Sequence, residues 1–168
     1  MKTTENVIIR PLLPDEIPLL RHFLHLAIYL PPGAHPLPES VVDEPGVALY
    51  IRGFGGQKHD AAFVAECGGS VVAAVWVRVL AGQNGEARGY GNIDEHTPEY
   101  ALAAEPAFRN RGIGGALLRQ MEQHLRGQGH KQASLSVHHG NPAIRLYRRA
   151  GFVPLEERGE DTLMLLTL

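Results

Sequence analysis

The sequence predicts a mixed α/β fold of the α+β type, with a largely antiparallel sheet of six to seven strands flanked by about four helices. Three observations predict it. Strand-like and helix-like periodicities alternate through the middle of the chain, hairpin-like pairs of strands flank that middle, and a glycine-rich turn joins one strand to a long amphipathic helix. With 168 residues and 44% hydrophobic side chains, the chain is long enough to bury a core without a metal or disulfide, and no linker-like stretch divides it, so residues 1–168 are expected to form one domain.

The elements follow in order. Val7-Ile8-Ile9-Arg10 is a short strand stopped by Pro11 and Pro14. Asp15 is placed to N-cap a helix reaching about Tyr29, with Ile17, Leu20, Phe23 or Leu24, and Ala27 or Ile28 along one face. Prolines 31, 32, 36, 38 and 45 make the next segment an extended connection, and a short helix is expected over Val47 to Arg52. Ala61 to Cys67 and Ser70 to Leu80 form a hairpin around Gly68-Gly69. In its second strand one face carries Val71, Ala73, Val75 and Val77, and the other carries Trp76 beside Arg78. That pair either lines a substrate pocket or buries the tryptophan under the first helix with the arginine snorkelling to solvent. After a polar stretch from Gly82 to Pro98 come a strand at Tyr100 to Ala104, a helix from Gly114 to about Gln128, a strand at Ala133 to Val137 and a helix from Asn141 or Pro142 to Ala150. Phe152 to Leu155 and Thr162 to Leu168 close the chain as a hairpin, an exposed edge of which could pair two subunits into a homodimer.

The most informative stretch is Arg109-Asn110-Arg111-Gly112-Ile113-Gly114-Gly115, between a strand and a helix. The first N–H groups of a helix lack internal partners and sit at the positive end of its dipole. Glycines let a bulky anion approach the backbone, and two arginines add charge with a fork suited to phosphate oxygens. A pyrophosphate cradle is therefore expected. The P-loop lysine is missing, and Gly112-Ile113-Gly114-Gly115-Ala116-Leu117 fails the dinucleotide pattern at its last position.

These residues resemble the RxxGxG acyl-CoA signature of the GNAT superfamily of N-acyltransferases, with Arg109, Gly112 and Gly114 at its defining positions. Leu102-Ala103-Ala104-Glu105-Pro106 is similar to the strand end that precedes that signature, and Asn141 to Phe152 to the N-x-x-A-x-x-L-Y-x-x-x-G-F segment that follows it. The resemblance is specific over about Glu99 to Phe152 and architectural elsewhere. Ala104 replaces the usual valine. The resemblance implies a GNAT-like sheet whose central strands splay apart, with acetyl-CoA as acyl donor between them. It implies contacts from Leu102, Ala103, Ala104, Arg109, Asn110, Arg111, Gly112, Ile113, Gly114, Gly115, Asn141 and Tyr147. It also implies acetyl transfer to a primary amine of a small molecule or peptide by direct attack in a ternary complex. The alternative is a non-catalytic acyl-CoA sensor or regulatory module.

Such chemistry needs a neutral amine, a stabilised oxyanion and a proton for the departing thiolate. Tyr147 stands where the family places its general acid, and Glu99, at the start of the fourth strand, is the candidate base. Asp94 and Glu95 are candidate attractors for a cationic amine, alongside Trp76 and Arg78 as substrate contacts. His138 or His139, at a strand end, could instead serve as base or substrate contact. The histidines lack zinc-motif spacing, so no metal is expected. A formal charge of −2 argues against a general nucleic-acid binder, no apolar run approaches membrane-spanning length, and one cysteine, Cys67, demands no oxidising compartment. The expectation is a cytoplasmic protein without nucleic-acid or membrane partners.

Overall fold

The computed structural model describes residues 6–82 and 87–168. Seven strands, β1 (Val7–Pro11), β2 (Ala61–Cys67), β3 (Ser70–Arg78), β4 (Glu99–Ala104), β5 (Gln132–His138), β6 (Val153–Arg158) and β7 (Asp161–Thr167), form one sheet in the order β1-β2-β3-β4-β5-β7-β6. Every neighbouring pair is antiparallel except β4 and β5. Those two are parallel and meet at one register pair, Glu99↔Ser134, beyond which they diverge. This opens the sheet at its centre, as the resemblance implied.

Among the described residues four α-helices accompany the sheet: α1 (Leu19–Ala27), α2 (Pro45–Ala48), α3 (Ile113–Gly127) and α4 (Ile144–Arg149). On one face, Leu117, Leu118, Met121 and Leu125 of α3 pack with Val75, Val77, Leu135 and Val137, and Tyr147 of α4 joins the same core. Each side chain of this size that is fully withdrawn from water contributes about 1.5–3 kcal/mol. The opposite face buries Leu20, Phe23 and Leu24 of α1 against Val64, Ala74, Trp76 and Ala103. Strand β3 is therefore buried on both faces. The Gly68-Gly69 hairpin forms as expected, with both glycines at positive φ.

The first helix differs from the expectation. Pro14–Glu16 form a 3-10 turn and the α-helix begins only at Leu19, because Pro18 has no N–H to continue the ladder. Asp15 therefore does not cap α1, and the Glu16 carboxylate takes the Leu13 N–H instead. The short helix expected at Val47–Arg52 begins two residues earlier and ends four residues earlier, at Pro45–Ala48, and Pro45 supplies a favourable helix start. Of the polar 82–98 stretch, residues 83–86 lie outside the described residues. Strand β6 is an outer strand with Val153 and Leu155 exposed.

Candidate active site

The Arg109–Gly115 turn leaves the end of β4 and enters α3. Asn110 and Gly112 both adopt left-handed φ values, 59° and 80°, which turn successive N–H groups toward one side and make a concave, anion-suited stretch of backbone. Gly112 faces open space, and α3 begins at the next residue. Two of the turn's three glycines serve different ends. Gly112 supplies the left-handed conformation, whereas a Cβ on Gly114 would lie 2.8 Å from Leu146 Cδ2, so that glycine lets α3 and α4 approach closely. Arg109 donates from Nε to the Ala104 carbonyl at 3.1 Å, tying the turn to the strand end, and the Arg111 guanidinium lies 5.1 Å from the Phe108 ring centroid. Both arginines are exposed.

Strand alternation divides the residues around the split into two sets. Leu102 and Ala104 face α3 and α4, while Glu99, Ala101 and Ala103 face α1, as do Ser134, Ser136 and His138 across the gap. Tyr147 belongs to the first set. The structure thus puts Glu99 and Tyr147 on opposite faces of the sheet, with the opening between β4 and β5 as the passage from one to the other.

Glu99 is 2% exposed. Its Oε2 accepts a hydrogen bond from the Tyr50 hydroxyl, whose oxygen in turn accepts the Tyr90 N–H at 2.8 Å. Its Oε1 has no hydrogen-bond partner among the described residues and lies against Gly89, where any Cβ would clash with it. Burial pushes the carboxyl up to about 7, a rise partly opposed by the Tyr50 hydroxyl, the Gly91 N–H and the charge of Arg158. Arg158 also donates from one Nη1 to the Tyr90 and Asn92 carbonyls, at 3.1 and 2.9 Å, and Ser134 Oγ donates to the Gly91 carbonyl at 2.5 Å. The Gly89–Asn92 turn is thereby pinned over the carboxylate.

Tyr147 is 9% exposed and packs edge-on to Phe152. Burial pushes its phenol up to about 12, so it stays protonated at neutral pH. Asn141 accepts the Ala143 N–H at 2.9 Å and shapes the entry to α4.

Trp76 and Arg78 are 1% and 2% exposed, and their polar groups are taken up within the protein. Trp76 donates to the Tyr50 carbonyl at 3.1 Å. Arg78 does not snorkel to solvent: it pairs with Asp60 and donates to the carbonyls of Leu49 and Arg52 at 3.0 and 2.7 Å. Together they fix the segment that carries Tyr50. Asp94 and Glu95 are exposed, and Asp94 is held below the usual carboxylate range by the His96 and Thr97 N–H groups it accepts, a local turn-forming role. His138 Nδ1 accepts the Gly140 N–H at 3.0 Å and its ring lies 5.0 Å from that of Tyr29, while His139 pairs with Glu157 and His22 with Glu105. Among the described residues no group of three or more His, Cys, Asp or Glu is placed to hold a metal ion.

Sequence reasoning missed Tyr50, Arg158 and the two glycines at 89 and 91. Only the glycines left a local signal, a Gly-Tyr-Gly run inside a polar loop. Tyr50 reaches Glu99 across 49 residues of chain, and no short-range pattern encodes that.

An open sheet centre beside an RxxGxG turn is the arrangement the resemblance implied, and residues 28–152 match the model of the acetyltransferase (GNAT) family. The chain belongs to the GNAT family. Solved GNAT structures share its fold. The PaiA N-acetyltransferase of Thermoplasma acidophilum in complex with coenzyme A superimposes with a TM-score of 0.69 at 16% identity, covering 97% of this chain and 99% of that one. The GNAT domain of S. lividans PAT gives 0.68 at 18% identity, covering 100% and 99%. In sequence, the chain is similar to mycothiol acetyltransferases. It is 34% identical to that of Corynebacterium glutamicum over 73 residues, 40% of this chain and 25% of the relative. It is also 34% identical to that of Thermobispora bispora over 91 residues, 54% of this chain and 29% of the relative. The matched part thus spans between a quarter and a third of the length of these relatives. No helix among the described residues is long and apolar enough to cross a membrane.

Proposed function

We infer that this GNAT chain transfers an acetyl group from acetyl-CoA to the primary amine of a small molecule or peptide within a ternary complex. The observation that carries this is the single β4–β5 register pair at Glu99↔Ser134, at the start of the strand whose far end leads into the Arg109–Gly115 turn. The pyrophosphate is assigned to the N–H groups of that turn, to the start of α3 and to Arg109 and Arg111, and the donor's arm to the β4 backbone at Leu102–Ala104. Bound acetyl-CoA supplies an activated acyl thioester. The amine is assigned to the α1 face, where Glu99 accepts its proton at Oε1. A carboxyl titrating near 7 is matched to that task at neutral pH, since a base works best when its pKa lies near the working pH.

Tyr147 is assigned to the departing sulfur. A phenol at about 12 is a weaker acid than a thiol of pKa about 8.5, so it assists chiefly by donating a hydrogen bond to the developing thiolate. Replacing Tyr147 by Phe is expected to lower turnover about tenfold or more while leaving CoA affinity within about twofold, because only the departing charge loses a donor. Unchanged turnover in a thiol-release assay removes Tyr147 from the chemistry.

Thermal unfolding with CoA and acetyl-CoA, against ATP and NAD as controls, tests the reading as a whole. At about 100 times Kd a ligand adds about 2.7 kcal/mol, a shift of roughly 5–10 °C for a chain of this size. A shift with the CoA species alone, followed by thiol release with an amine, is the expected result. A shift without thiol release for any amine would leave an acyl-CoA sensor, and no shift at millimolar CoA would end the acyltransferase assignment.

A further inference from the structure

We propose that Tyr50 and the Gly89–Asn92 turn act together as the positioning unit of the catalytic carboxylate, occupying Oε2 of Glu99 and leaving Oε1 as the one oxygen free to take the amine's proton. The proposal rests on the acetyltransferase reading and goes beyond it, naming which oxygen acts and which residues outside the CoA-binding segment keep it so.

The geometry comes from four parts of the chain. Tyr50, 8% exposed, follows α2 and donates its hydroxyl proton to Oε2. That hydroxyl is itself oriented, because its oxygen accepts the Tyr90 N–H at 2.8 Å. A phenol with one acceptor lone pair filled and its proton committed has one orientation open to it, which fixes the carboxylate rotamer. The turn carrying Tyr90 is closed by the Asn92 N–H to the Gly89 carbonyl at 3.1 Å and anchored at its start by the Gly89 N–H to the Leu80 carbonyl at 2.9 Å. Arg158 of β6 and Ser134 of β5 hold its carbonyls from the other side.

The result is a buried carboxylate whose Oε2 takes the Tyr50 hydroxyl, whose charged form the Gly91 N–H also favours, and whose Oε1 has no hydrogen-bond partner among the described residues. Leaving a buried acceptor unpaired is costly, so an orphan at the end of an otherwise complete network marks a place where a partner is expected to arrive. Gly89 keeps that place: a Cβ there would lie 2.1 Å from Oε1 and displace it. Gly89 serves the carboxylate, whereas Gly91 lets the turn lie against the β5 backbone, since a Cβ there would come within 2.7 and 2.8 Å of Leu135 and Ser136 main-chain atoms; neither takes a positive φ that would demand glycine on backbone grounds. The charged and titratable groups acting on the carboxyl are Tyr50 and Arg158, with Tyr90 acting on Tyr50 and with Arg78, already paired to Asp60, as its register neighbour on β3. Proton transfer balances simply: the substrate ammonium gives up one proton, the N–H electron pair stays on nitrogen, and the proton forms an O–H bond at Oε1.

The test measures the carboxyl directly as well as the rate. In protein labelled with 13C at the glutamate carboxyls, the Glu99 resonance is titrated in the wild type and in Tyr50→Phe, and thiol release from acetyl-CoA is followed against pH with the amine that turns over best. Tyr50 stabilises the charged carboxylate, so its loss is expected to raise the Glu99 titration by about one pH unit. The acid limb of kcat should rise with it, costing about fivefold at pH 7 for a group titrating from near 7, with the KM for acetyl-CoA unchanged. An unmoved titration overturns the proposal, and so does a moved titration with an unmoved limb. Gly89→Ala approaches the same carboxylate from the opposite side. It is expected to lower kcat at least tenfold with CoA affinity within twofold, and unchanged kcat overturns the role of Oε1. Failure of the acetyltransferase reading has a different signature, a wild type that neither binds CoA nor releases thiol, and that outcome takes the proposal with it.

Discussion

Glu99→Gln is expected to reduce kcat by about 10²–10⁴-fold while leaving CoA binding intact, the loss found when a positioned base is removed. The same change is expected to alter stability in the opposite direction at alkaline pH. In the folded protein the carboxyl titrates near 7 rather than near 4.5, so between those values the folded state holds a proton that the unfolded state has released. Stability contributed at this site is therefore present below about pH 4.5 and lost as pH rises through 7, by roughly 3 kcal/mol in all. The amide has nothing to ionise. His130, held below its usual range by burial and by His59 and His124, works in the opposite sense as pH falls, but it is common to both proteins and cancels in their difference. Denaturant unfolding of wild type and variant at pH 5 and pH 8 checks this. A difference that widens in favour of the variant at pH 8 is expected, and one that stays constant with pH would mean that Glu99 ionises in the folded state as freely as in solvent.

Arg78→Ala is expected to destabilise the fold by about 3–5 kcal/mol, a fall in Tm of roughly 10 °C or more, because it strands a buried charge. Asp60, the partner, accepts from Arg78 at 2.9 and 3.1 Å and from the Gly55 and Gln57 N–H groups, and its side chain is 1% exposed. The loss should reach the active site as well. Arg78 holds the Leu49 and Arg52 carbonyls on either side of Tyr50, and Trp76 holds the Tyr50 carbonyl, so the segment that presents the phenol to Glu99 loosens with the arginine. Replacing both partners by apolar residues of similar volume, as in Arg78→Met with Asp60→Leu, is expected to recover much of the stability but not the two carbonyl contacts. Tm by calorimetry separates the two variants. Equal losses in both would place the stabilisation elsewhere than in the paired charges.

Trp76 and Arg78 thus have a different standing from that expected of pocket-lining residues. A strand pattern shows that two side chains share a face but not what covers that face. Here the cover is α1 and the segment around Tyr50, delivered from 26 residues away in the case of the Trp76 contact. Asp94 illustrates the same limit at short range. Its charge was legible as a possible attractor for an amine, while its service to the N–H groups of His96 and Thr97 depends on a turn that composition does not specify.

What the sequence determined by itself was local and chemical. Periodicity in β3 and α3, glycines at the Gly68-Gly69 hairpin, and the run Arg109–Gly115 each act over a few residues, and the physics that reads them, side-chain alternation, helix-end polarity and the missing Cβ, acts over the same distance. Glu99 could be nominated because a carboxylate at a strand start is visible as such. Its competence as a base was decided by tertiary structure alone. The carboxyl is shifted because Tyr50, the turn carrying Gly89 and Gly91, and Arg158 converge on it from three separate parts of the chain and exclude water, and desolvation is a property of the whole enclosure rather than of any segment. The splay of β4 from β5 belongs to the same class: each strand is legible, but that they pair at one position is a relation between two strands separated in the chain by all of α3, and no local pattern carries it.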